Sequence, residues 1–225
     1  MSWVAITIFA AFVQNLRFML QKSLSQTGVS AVGATAARYI FSLPIILVVY
    51  LLIVDVPIAA QGLRFYGFTA LGAVTQILAT ICVIALFQYR NFAVGTTFKR
   101  TETILSAVIG MIILGDIVTP LGWVALFISL PGVILLSEKA TNWSGGFFNR
   151  ATALGLSAGM LFGICGVCYR AASLSLGYET PLQPALATLT FSISLQAVML
   201  LIYLRLREAG ELTKLFQEWR FITQG

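Results

Sequence analysis

Lys99, Arg100 and Glu102 stand inside an otherwise apolar stretch, Gly95 to Asp116, GTTFKRTETILSAVIGMIILGD. That stretch is long enough to cross a bilayer as a helix, which takes about 20 residues. One such charge at a helix centre costs roughly 2.5–3.5 kcal/mol even on the lenient insertion scale, so these charges belong either near an interface or beside a watered cavity. Thr96, Lys99, Thr103, Ser106 and Gly110 recur at i, i+3, i+7, i+10 and i+14, which is one helix face, and leave Phe98, Ile104, Leu105, Val108, Ile109 and Ile112 for lipid.

The same polar ridge recurs in three earlier apolar stretches. Gln14, Arg17 and Gln21 are spaced i, i+3, i+7; Thr35, Arg38 and Ser42 repeat that spacing; Gln76 and Thr80 are i, i+4 neighbours. Four helices with one polar ridge each can enclose a hydrophilic chamber while turning apolar backs to lipid. The candidate chamber residues are therefore Gln14, Arg17, Arg38, Gln76, Thr80, Thr96, Lys99, Arg100, Glu102 and Thr103. The chemistry this arrangement supports is passage of a small-molecule solute, with Arg17 and Arg38 favouring anionic or zwitterionic ones. Proton coupling through an ionisable side chain would lean on Glu102.

A plainer reading stands beside each of these. Lys99, Arg100 and Glu102 lie only roughly 6–10 Å into their span at 1.5 Å per residue, so long side chains can snorkel to water, and Lys99 and Glu102 can pair with each other. Arg17 sits near the end of its span. Gln76 and Thr80 can simply hydrogen-bond neighbouring helices together.

The composition sets the class. Of 225 residues, 59% are hydrophobic and 10% charged, far below the roughly 25% charged of soluble domains, and mean hydropathy is +0.93. The sequence therefore predicts an all-α, polytopic helical membrane protein, not a β-barrel, because the apolar runs are continuous instead of alternating. The net charge of +6 suits loops beside anionic lipid; no soluble basic domain offers itself to nucleic acid. With no histidine and no Ser/His/Asp set, metal-ligand cluster, Walker loop or Rossmann glycine pattern, no enzyme, cofactor or metal is expected. Cys165 and Cys168 form a C-x-x-C inside an apolar run with no second pair, and read as small packing residues, as does Cys82. Gly155, Gly159 and Gly163 form a G-xxx-G-xxx-G run that permits close helix approach.

Seven spans follow from length and breakers: Trp3 to Gln21, Ala31 to Val54, Gly67 to Gln88, Gly95 to Leu114, Val118 to Ser137, Ala151 to Leu176, and Pro184 to Leu206. Residues 138–150 form the longest linker, a seam between a first unit of five helices over 1–137 and a partial second unit over 151–225. The second unit opens as the first does: a span, a basic residue (Lys22; Arg170), a Ser/Leu-rich end, a glycine turn (Gly28; Gly177) and another span. With an odd number of helices in the first unit, the second would enter the membrane inverted, the arrangement of many secondary transporters. Beyond the last span, Leu212, Leu215, Phe216 and Trp219 make an amphipathic stripe suited to the interface.

The run YRNFAVGTTFKRTETILSAVIGMIILGDIVTPLGWVALFISLPGVILLS resembles the region of helices three to five in EamA-type members of the drug/metabolite transporter superfamily. The Leu114-Gly115-Asp116 turn, the Gly132-Val133-Ile134-Leu135-Leu136 ending and the Phe98-Lys99-Arg100-Thr101-Glu102 segment carry the resemblance. It implies ten helices in two inverted five-helix repeats around a central cavity, of which this chain holds seven, lacking the last three. It implies a multi-pass protein of the cell (inner) membrane, an exporter of small organic metabolites by alternating access, with its chamber lined by helices one to four and six. Its partners would be the solute, the lipid bilayer, and a second copy or complementing chain. Rival readings are a non-transporting fragment or helix-bundle scaffold and, less favoured for want of a lysine in the last span, a seven-helix receptor. The family default puts the amino terminus in the cytoplasm. Lys22, Arg90, Lys139, Arg150, Arg205, Arg207, Lys214 and Arg220 against Arg64 and Arg170 favour the opposite orientation.

Overall fold

A computed structural model of the chain describes residues 2–25, 30–54, 62–88, 101–138, 150–177, 180–208 and 210–213. Among them the secondary structure is helical throughout: α1 (Ser2–Ser25), α2 (Ala31–Ile53), α3 (Leu63–Gln88), α4 (Thr101–Leu114), α5 (Pro120–Glu138), α6 (Arg150–Ser175) and α7 (Leu182–Arg207). The expected spans coincide with these helices to within a few residues, except that residues 95–100 of the fourth lie outside the described residues; Glu138 and Arg150, expected in the linker, instead close α5 and open α6. Among the described residues four helices, α2, α3, α6 and α7, are long and apolar enough to cross a membrane, where seven spans were expected. The others offer shorter apolar segments, Val4–Leu16, Thr101–Leu114 and Pro120–Ser129. In α1 the reason is visible in the sequence, where Gln14, Arg17, Gln21 and Lys22 interrupt the apolar run.

The helix ends follow local chemistry. Ser30 caps α2: extended at φ −64°, ψ 156°, its Oγ accepts from the Gly33 N–H at 2.9 Å. Gly115 after α4 and Gly177 after α6 both take φ +67°, the left-handed conformation that closes a helix and that a side chain would strain. Pro184 falls in the first turn of α7, where its missing N–H has no helical partner to lose. Pro44 lies inside α2 and Pro131 inside α5.

The core is built from α2, α3, α6 and α7. Ala34, Ala36, Ala37 and Tyr39 of α2 bury against Ile77 and Ile84 of α3 and Ala197, Leu200 and Leu204 of α7. Ala79 and Val83 of α3 pack on Ala158 and Phe162 of α6. These pairings fix chain direction. Gly72 of α3 meets Tyr169, and Val83 clusters with Ala158 and Phe162, so α3 and α6 are antiparallel. Gly163 of α6 touches Leu105 and Ser106, and Val167 lies by Gly110, so α4 and α6 run the same way. Tyr50 and Val54 of α2 cluster with Ala187 and the start of α2 lies by the end of α7, so those two are antiparallel. Large apolar side chains cover the outside, among them Phe9 (69% exposed), Leu52 (80%) and Ile112 (77%), a surface suited to lipid.

The interfacial stripe is only partly within the described residues. Residues 210–213 are helical and Leu212 packs against the α2–α3–α7 core, while Leu215, Phe216 and Trp219 lie outside the described set. Glu211 Oε2 accepts from the Ser30 N–H at 2.9 Å and Glu208 Oε2 from the Ser30 hydroxyl at 2.8 Å, tying this segment to the head of α2.

Candidate functional site

A hydrogen-bonded cluster of polar side chains joins α3, α6 and α7, at the middle of α3 and α7 and in the last third of α6. Gln76 is the fourteenth of 26 residues in α3 and Gln196 the fifteenth of 26 in α7. At 1.5 Å per residue each lies about 17–20 Å from its helix ends. The Tyr169 hydroxyl of α6 donates to Gln76 Oε1 at 2.7 Å. Gln196 Nε2 donates to the same oxygen at 2.7 Å, to the Tyr169 hydroxyl at 3.2 Å and to the Ala73 carbonyl at 3.2 Å. The Ser192 hydroxyl also bonds Tyr169. Since the single Tyr169 proton is taken by Gln76, Ser192 is the donor of that pair, and the phenolic oxygen holds one donated and two accepted bonds.

Packing holds the ring in place. A Cβ built on Gly72 would sit 2.6 Å from Tyr169 Cε1 and 2.7 Å from Cδ1, so only glycine lets the ring lie against α3. Ser173 and Thr188 hydroxyls pair at 3.0 Å one turn further along α6 and α7. Cys165 stands one turn before Tyr169 on α6 and is buried.

Four buried polar atoms have no hydrogen-bond partner among the described residues: Arg38 Nη1, Tyr39 OH, Thr190 Oγ1 and Gln196 Oε1. Gln196 and Thr190 are 0% exposed and Tyr39 1%. The Arg38 guanidinium carbon stands 4.9 Å from the centre of the Tyr39 ring, a cation–π contact that leaves its Nη1 donors unused.

The other expected residues divide. Thr80 is buried, but its hydroxyl bonds the Gln76 carbonyl of its own helix at 2.8 Å instead of lining a chamber. Thr35 and Ser42 behave likewise, toward Ala31 at 2.7 Å and Arg38 at 2.7 Å. Gln14 is exposed, because α1 packs only lightly against α2 and α3; Thr103 is exposed because α4 turns Ser106 and Gly110 toward α6 instead. Glu102 is half-buried. Arg17 lies on α1 with its side chain outside the described residues, and Thr96, Lys99 and Arg100 lie outside them altogether. Tyr39, Tyr169, Ser192 and Gln196 were not expected. The signal for Ser192 and Gln196 was their i, i+4 spacing in the last span; for Tyr169 it was its place one residue before Arg170 in an otherwise small-residue helix.

A second polar feature sits where α4 and α6 end. Arg170 pairs with Asp116 at the mouth of a cleft of about 450 Å³ lined by Ser106, Gly110, Ile117, Gly166 and Val167 among others. Both side chains remain in part exposed, at 58% and 30%.

Comparison with protein-family models, with curated proteins and with solved structures finds no match to the chain.

Proposed function

We propose that the chain is a multi-pass cell (inner) membrane protein that carries a small organic solute by alternating access, as its resemblance to the drug/metabolite transporter type implies. The observation that carries this reading is the polar cluster linking Gln76 of the first unit to Tyr169, Ser192 and Gln196 of the second, at the middle of the apolar helices α3 and α7. Polar side chains at such depth are costly in lipid and are kept where a path or a site needs them. Secondary transporters hold their solute at the junction of two units, where one can rock against the other.

Chain direction supports more than four crossings. α4 runs parallel to α6 with Gly163 against Leu105 and Ser106, so the chain must cross back between them, and α5 is the described helix available to do it. α7 runs antiparallel to α2, as an inverted second unit requires.

The test is reconstitution of the full chain in liposomes, exposed to a mixture of organic acids, amino acids and sugars, with internalised solutes identified by mass spectrometry. At least one solute enters faster than into protein-free liposomes, and a Tyr169→Phe, Gln196→Leu double variant slows it at least tenfold. A well-dispersed protein that internalises nothing contradicts the proposal. That outcome would favour a helix-bundle scaffold, a reading supported by the hydroxyls of Thr35, Ser42 and Thr80, which bond their own helices.

A further inference from the structure

Arg38 is the feature that the hydrogen-bonded cluster does not absorb. It stands eight residues past the Ser30 cap on α2, half-buried, between buried Ala37 and Tyr39. One guanidinium nitrogen, Nη1, is buried without a hydrogen-bond partner among the described residues. A buried donor left without an acceptor is unfavourable, and a guanidinium fork matches the paired oxygens of a carboxylate or phosphate. Two further orphans lie in the same core. The Tyr39 hydroxyl is one; the residue shares a hydrophobic cluster with Ala197, and Ala197 follows Gln196, whose Oε1 is the other. That oxygen can only accept, so it calls for an O–H or N–H group.

We propose that Arg38 is the oxyanion-binding residue of the solute site, and that the solute is a small organic oxyanion bearing a hydroxyl or amino group for Gln196. The inference rests on the transport reading for its site but is read out by binding. The oxyanion seats on Arg38 Nη1, the donor group on Gln196 Oε1, and the Tyr39 hydroxyl supplies a further bond. The Tyr169 proton, already given to Gln76, stays where it is.

The experiment measures thermal unfolding of the purified full chain in detergent with L-lactate, acetate, inorganic phosphate or glycerol. Lactate raises the midpoint, acetate raises it less, and glycerol leaves it unchanged. A phosphate shift as large as that of lactate overturns the hydroxyl-bearing organic solute. Arg38→Met abolishes every anion shift. Arg38→Lys keeps the shift with affinity about 10- to 100-fold weaker. Gln196→Leu keeps the acetate shift and erases the preference for lactate. The inference is overturned if no anion shifts the wild-type midpoint, or if the anion shifts of Arg38→Met match wild type. Binding without flux would sink transport and leave the Arg38 site standing; flux of a neutral solute, undiminished in Arg38→Met, would do the reverse.

Discussion

At the residue scale, the Tyr169 hydroxyl is the joint on which the cluster turns, since it bonds Gln76, Ser192 and Gln196 together. Removing it leaves buried amide and hydroxyl groups short of a partner, which costs about 1–3 kcal/mol. Tyr169→Phe therefore lowers stability by that order in thermal unfolding, although the ring and its packing are kept. Gly72→Ala acts on the same joint by steric means. Its Cβ would stand 2.6 Å from the ring, and moving Tyr169 aside costs about 1–3 kcal/mol. A variant that unfolds like wild type would show the ring to be loosely held. Gln76 stood out in the sequence as an amide in an apolar run, where it could either line a chamber or join helices. Tyr169 did not, because tyrosine counts as apolar in such a run and its hydroxyl is commonly spent at the interface. Thr80, Thr35 and Ser42 misled in the other direction. Spacing puts a hydroxyl on a face, yet in a helix it can always bond the carbonyl four residues back.

At the element scale, the parallel seating of α4 on α6 depends on Gly163, where a Cβ would come within 3.3 Å of Leu105 Cβ and of the Ser106 backbone nitrogen. Gly163→Leu drives these helices apart and is expected to destabilise the protein by about 1–3 kcal/mol, read by thermal unfolding. The glycine run was visible in the sequence; that α4 is its partner was not, because small residues show that something comes close without saying what. By contrast, the Asp116–Arg170 pair is partly exposed, and Asp116→Asn should change stability by less than about 1 kcal/mol. Ser30 joins three connections, capping α2 and bonding Glu208 and Glu211. Ser30→Ala removes the cap and one glutamate bond and should cost about 1 kcal/mol. Helix positions were readable because each apolar run ends at a proline, a glycine or a charge. The rotation of each helix was not, since α1 and α4 turn Gln14 and Thr103 outward, and only the neighbouring helices decide that.

At the scale of the molecule, α2, α4 and α6 run one way and α3 and α7 the other, with large apolar side chains outward. The composition alone foretold the helical membrane character, because a chain with 10% charged residues has too few to cover a soluble surface. The number of crossings was less legible: among the described residues α2, α3, α6 and α7 carry an apolar stretch of spanning length. Basic residues in the connections predict an outward amino terminus, which a reporter fused after Gly225 tests, being active in the compartment opposite that of an amino-terminal fusion. The central claim is that the cluster borders a water-filled path. It is tested most directly by introducing Ser192→Cys into a chain whose Cys82, Cys165 and Cys168 are alanine. The chain is then reconstituted in liposomes and treated with a membrane-impermeant thiol reagent from each side. The account predicts that Cys at this position reacts, and that it does so from both sides as the two units rock. A thiol that stays unmodified from either side, in protein that folds normally, would mean that the cluster is dry glue between helices.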